Sequence, residues 1–245
     1  MARFFLFLLA LAGLPFAWGV TRASAGVFRL LSSESNVFMS AEMVAAVAGF
    51  VVCFALLLVL PSPVRLYVFG HELTHALWGV LFGEKVADLK VGADGGSVTF
   101  KPHRKSGLWW VSDAWVTLSP YCFPFYTVLV ICAALTTRMF VSPLPWICVW
   151  VFAVGATWCF HVFFTLQSVC QRQPDLEEYG HVFSYVVIWI FNVAEVAVAM
   201  VCTTEVSWSR FGSLLAYHTA HAYRAVGAAS MWLYESVRSL PFLQS

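Results

Sequence analysis

The sequence predicts an all-α protein, a polytopic transmembrane helical bundle of about five to six spans with one short β-hairpin, and three observations predict it. Of 245 residues, 60% are apolar and 11% charged, whereas a soluble domain carries about 25% charged residues. Six windows, 4–20, 43–60, 66–83, 114–136, 144–169 and 182–202, make up half of the chain yet hold only two charged side chains, Glu72 and Glu195. Each window is 17–26 residues long. A helix needs roughly 17–25 to cross a bilayer core, where every backbone polar group must be bonded within its own segment.

Taken in order, the first window follows Arg3 and precedes Ala23-Ser24-Ala25, a pattern that fits a signal peptide and an uncleaved first span equally well. Residues 1–41 therefore stand as a leader or first span plus linker, 42–203 as the membrane-embedded domain and 204–245 as a C-terminal tail. The tail mixes Arg210, Arg224, Glu235 and Arg238 with Phe211, Leu214, Leu215, Trp232 and Leu233, a weak amphipathic pattern suited to the membrane surface. Between the third and fourth windows, Glu84 to Asp113 carries Lys85, Lys90, Lys101, Arg104 and Lys105, against Arg65 and Arg138 in the flanking loops. By the positive-inside rule this loop is cytoplasmic. In the same loop Gly95-Gly96 breaks the chain ahead of β-prone Ser97-Val98-Thr99-Phe100, with Asp88 to Val91 as a partner strand. Pro120 and Pro124 remove two backbone donors from the fourth window, so that helix is kinked or starts late. Trp18, Trp110, Trp115, Trp146 and Trp208 fall near window ends, where indoles anchor at headgroups.

Two classes are disfavoured. A net charge of +1 without a basic block offers no footprint for nucleic acid. Seven cysteines, an odd number without a C-x-x-C pair, read as small buried hydrophobes and not as a disulfide framework.

The chemistry lies in the third window, where His71-Glu72-Leu73-Thr74-His75 forms the pattern H-E-x-x-H inside an apolar run. Positions four apart share a helix face. His71 and His75 can thus present two imidazoles to one Zn²⁺, with Glu72 as general base toward a metal-bound water. The bland reading is polar helix packing with a satisfied buried acid. Three ionisable groups within one turn of an intramembrane helix are costly and by default mark a function. A catalytic zinc site normally has three protein ligands plus water. Of four aspartates, Asp88, Asp94 and Asp113 lie in or beside the basic loop, where lysines can pair with them. Asp175, stiffened by Pro174, is the first candidate for third ligand. Glu195, with Asn192 on the same face, is read first as interhelical packing and second as a partner to a ligand. His161 is read first as a satisfied core histidine and second as a partner to the site, and His218 and His221 are read as surface residues.

These residues resemble the site-2-protease-like intramembrane zinc metalloproteases, and most closely their small bacterial membrane-only members. The resemblance covers roughly residues 64–202. It rests on the H-E-x-x-H helix, Gly83 and Lys85, Gly95-Gly96-Ser97-Val98-Thr99-Phe100, Ser119-Pro120-Tyr121 with Pro124, and Asp175 before the last span. That family often carries its downstream aspartate in an Asn-Pro…Leu-Asp-Gly sequence; here it is Pro174-Asp175-Leu176 with Gly180. The resemblance implies one catalytic Zn²⁺ held by His71, His75 and Asp175, with Glu72 as catalytic base. It further implies an endopeptidase of the bacterial cytoplasmic membrane that cuts a transmembrane protein substrate within or near its helix. A membrane-associated β-loop would bind the unwound substrate, or the hairpin has no substrate role. The rival reading is a non-catalytic zinc-binding membrane scaffold or pseudoprotease. The expected partners are the lipid bilayer and the substrate, without nucleic acid.

Overall fold

The computed structural model describes residues 2–34, 40–92, 95–101, 109–141, 146–203 and 206–239. Arg104, Lys105 and Asp94 of the basic loop lie outside them. The described residues form nine helices and two strands, divided between two compact units.

The first unit comprises Met1–Ser35 and Val182–Ser245. Its helices are α1 (Ala2–Glu34), α8 (His181–Thr203) and α9 (Trp208–Arg238). Along α1, Leu6, Ala10, Ala17, Val20, Ser24 and Val27 are buried, a stripe at the three- and four-residue steps of one helix face. α9 lies against α1 so closely that a Cβ on Gly19 would strike Thr219, and Tyr223 Oη donates to the Ala12 carbonyl at 2.8 Å. From α8, Trp189 Nε1 donates to Thr21 Oγ1 at 2.9 Å, and Val201 shares a buried apolar cluster with Val27. The segments 1–41, 42–203 and 204–245 thus each contribute a helix to this unit. The expected amphipathic tail is a 31-residue helix started by Ser207, whose Oγ accepts from the Arg210 N–H. It leaves Trp232, Leu233 and Tyr234 exposed.

The second unit, Asn36–His181, holds the H-E-x-x-H segment. Ser40 starts α2 (Ala41–Val59) by accepting from the Met43 N–H at 3.2 Å, and Glu42 sits in the first turn, where a negative charge offsets the helix dipole. α2 packs along α6 (Ile147–Val169) with backbones in contact: a Cβ on Gly49 would strike the Phe152 carbonyl, and one on Gly155 the Ala46 carbonyl. Small residues that let backbones touch are the usual adhesive of intramembrane helix pairs. After Pro61 and Pro63 the chain enters α3 (Val64–Leu81). Beyond it, β1 (Val86–Val91) and β2 (Gly96–Phe100) form the antiparallel hairpin, pairing Leu89 with Val98 and Val91 with Gly96, with a bulge between Val86 and Asp88. The hairpin rests along α3, and Gly79 makes room for the Phe100 ring.

The fourth window is broken. α4 (Trp109–Cys122) contains Pro120, and Pro124 heads α5 (Phe125–Phe140); the two helices meet at 78°. Four described helices are long and apolar enough to cross a bilayer, Arg3–Leu30, Ala41–Val59, Ile147–Val169 and His181–Cys202, and the bent pair makes five if it is one broken span. α3 falls short of that hydropathy because Arg65, His71, Glu72 and His75 occupy four of its 18 positions. Last in the unit comes the short α7 (Pro174–Tyr179), opened by its proline and closed by Gly180 at φ 85°, a left-handed backbone that glycine adopts without steric cost. None of the seven cysteines is in a disulfide, but only Cys122 and Cys159 are buried. Trp115, expected as a headgroup anchor, packs edge-on against Trp78 at 5.3 Å.

Candidate metal centre

α3 places Tyr67, His71 and His75 one turn apart on one face, and α7 brings Asp175 to meet them. His71 Nε2 lies 3.2 Å from His75 Nε2, and Asp175 Oδ2 lies 3.3 Å from the first and 3.6 Å from the second. Donors held at about 2.0–2.1 Å from a tetrahedral ion are about 3.3 Å apart. The triangle therefore has the dimensions of three corners of such a site. No other His, Cys, Asp or Glu group of three among the described residues brings its ligand atoms together in this way. The side chains are mostly buried, with exposures of 11% for His71, 13% for His75 and 27% for Asp175.

The proton positions sharpen the fit. His75 Nδ1 is 2.7 Å from the Val116 carbonyl, which can only accept, so Nδ1 carries the proton and Nε2 of the neutral ring is a lone pair. Two imidazole nitrogens and a carboxylate oxygen converge at distances that suit a shared positive centre, either a proton carried on His71 Nε2 or a metal ion. Burial works to raise the Asp175 pKa, but the imidazoles of His71 and His75 outweigh it and hold the carboxyl well below the usual carboxylate range. The residues fit a His-His-carboxylate centre in number, atom type and spacing.

Each corner is held from outside. Val116 is free to serve His75 because Pro120, four residues on, has no N–H to give its carbonyl; Ser119 Oγ donates to the same oxygen at 2.9 Å. Pro120→Ala would restore that N–H and set it in competition with His75 Nδ1. The expected result is a metal affinity lowered about 10–100-fold, the usual effect of disturbing a ligand's outer partner, with helix content unchanged. Metal titration alongside circular dichroism checks it, and unchanged affinity would dismiss the competition. Asp175 accepts from Tyr121 Oη at 3.0 Å. Tyr179, at the far end of α7, donates to Asp113 Oδ2 at 2.8 Å. The short helix is therefore tied to α4 at both ends, with Leu176 fully buried between.

Glu72 is buried, at 7% exposure, and faces the start of β2. A Cβ on Gly96 would come 2.8 Å from Glu72 Oε1 and as close to Val68 Cγ1, so the carboxylate occupies room that only glycine leaves. A cavity of about 30 Å³ lies against His71, lined also by Tyr67, Gly70, Thr74, Tyr126 and His161; a water needs about 10–15 Å³ by this measure. His161 is thus a neighbour of the site across that cavity. Glu195 and Asn192 lie on α8 in the other unit, where Asn192 Nδ2 donates to the Ile188 carbonyl at 2.9 Å.

The sequence reading singled out His71, Glu72, His75 and Asp175, and the fold brings the three ligand candidates together. It assigned no role to Tyr67, Val116, Tyr121 or Tyr179. The spacing of Tyr67 four residues before His71 is the signal by which one of them was open to detection. Compared with protein-family models, with curated proteins and with solved structures, the chain matches none.

Proposed function

We propose that this chain is a zinc-dependent intramembrane endopeptidase of the site-2-protease-like kind, a multi-pass protein of the bacterial cytoplasmic membrane that cuts a transmembrane protein within or near its helix. The observation that carries the reading is the convergence of His71 and His75 of α3 with Asp175 of α7 at tetrahedral spacing, beside the buried Glu72. The four or five span-length helices supply the membrane setting. When bound, zinc supplies a Lewis acid that polarises a carbonyl and lowers the pKa of water to about 7. His71, His75 and Asp175 would hold the ion. Glu72 takes the proton of the attacking water and returns it to the leaving amine.

A peptide bond within an intact helix is hidden behind its own hydrogen bonds and must be extended before attack. The hairpin supports that step. A substrate backbone added to one of its strand edges would be held in extended form on the element that touches Glu72.

The test is zinc content of the detergent-purified protein measured with cleavage of a model transmembrane peptide. One zinc per chain and cleavage lost on chelation are expected. Stoichiometric zinc without cleavage would favour the scaffold reading, and a protein that takes up no zinc would end the metal reading.

A further inference from the structure

We propose that Tyr67 is a positioning residue for His71, accepting the proton of Nδ1 and passing its own to Ser168, and so fixing the ring with Nε2 as a lone pair toward the metal position. The proposal rests on the zinc reading above.

Tyr67 Oη lies 3.2 Å from His71 Nδ1 and 2.8 Å from Ser168 Oγ. The hydroxyl has one proton and must commit it. Donated to Nδ1, it would leave the neutral ring's proton on Nε2, aimed at His75 Nε2 and Asp175, where an ion needs a lone pair. Donated to Ser168, it leaves an oxygen lone pair to receive Nδ1–H, and Nε2 is available. Both contacts are compatible with the second arrangement, and that arrangement alone leaves Nε2 available to an ion. Packing fixes the oxygen: the Tyr67 ring stacks on Phe164 at 4.6 Å with planes 10° apart, and Phe164 and Ser168 are each 3% exposed on α6.

A histidine ligand commonly gives its second N–H to a carboxylate, a backbone carbonyl or a water. His75 follows that pattern through Val116. A carboxylate at position 67 would add a negative charge beside Asp175 and Glu72, whereas a hydroxyl sets the tautomer and adds none.

Tyr67→Phe keeps the stacked ring and removes only Oη. Zinc affinity is expected to fall about 10–100-fold. In the zinc-loaded protein, the Nδ1–H proton and ¹⁵N resonances of the His71 ring should move as their hydrogen bond to Oη is lost, while the apo melting midpoint stays in place. Ser168→Ala removes the acceptor for the tyrosine proton and should move the same resonances with a smaller loss of affinity. If Tyr67→Phe does not fold, Ser168→Ala decides alone. Wild-type zinc affinity together with a wild-type ¹⁵N pattern in the folded variants would overturn the role of Tyr67 and leave the metal reading standing. Absence of zinc binding in the wild-type protein would remove both.

Discussion

Glu72→Gln should retain one zinc per chain and lose peptide cleavage by about 10²–10⁴-fold, the range supplied by a positioned general base. The substitution is close to isosteric, which matters where Glu72 fills the space left by Gly96. It changes no ligand: the triangle is made by His71, His75 and Asp175. What it removes is the capacity to take a proton. Zinc analysis and peptide cleavage on the same preparation separate the two effects. Cleavage at the wild-type rate would refute the base assignment, and zinc loss equal to that of His71→Ala would make Glu72 part of the metal's support.

The second large effect falls on Asp175. Asp175→Ala removes the only carboxylate of the triangle and leaves Tyr121 Oη, on a ring 1% exposed, without the acceptor it now has at 3.0 Å. Zinc affinity should therefore fall by more than the roughly 100-fold upper range for loss of an outer partner, and cleavage should vanish. Asp175→Asn, which preserves an oxygen for Tyr121 and removes the charge, should lie between. Glu195→Gln, on α8, should leave affinity unchanged. Competition against a chromophoric chelator measures all three. Full occupancy in Asp175→Ala with loss in Glu195→Gln would transfer the ligand role to Glu195.

Much of the fold was legible because its signals are local. Apolar length announces a helix, and the described residues of all six windows are mainly helical, the fourth with a break whose two prolines were visible. Gly95-Gly96 before Ser97 to Phe100 announced the hairpin, and its strands pair as expected from Asp88 to Val91 onward. The number of spans was less legible. The same ionisable residues that mark α3 as chemical lower its hydropathy, so among the described residues four to five helices reach span length and hydropathy, against the five to six spans expected. Partner choice was not legible either, since apolar faces carry little address; nothing in the windows tells that α1 packs with α9. At the site, the i, i+4 histidines follow from helix geometry, and Asp175 followed from elimination among four aspartates. Tyr121 and Ser168 reach the site from other elements, and such contacts leave no local periodicity. Val116 is intermediate: the proline that frees its carbonyl was seen, but not the histidine that would use it.

The site's cross-connections also bear on the order in which the molecule is built. His71 and His75 are a turn apart and belong together as soon as α3 is helical. The contacts that bring other elements to the centre span long stretches of chain: 41 residues from His75 to Val116, 54 from Tyr121 to Asp175, 101 from Tyr67 to Ser168 and 104 from His71 to Asp175. Closing such loops carries an entropic cost before any contact rewards it. We expect a folding chain to pass through a stage with two histidines presented and the acid still absent, a weak and undiscriminating metal trap. Zinc supplied at successive times of refolding should meet loose binding first and tight binding only when α7 has docked; tight binding from the earliest time would contradict that order. On this view the centre doubles as a checkpoint, because full metal affinity is reached only by a chain whose second unit is complete.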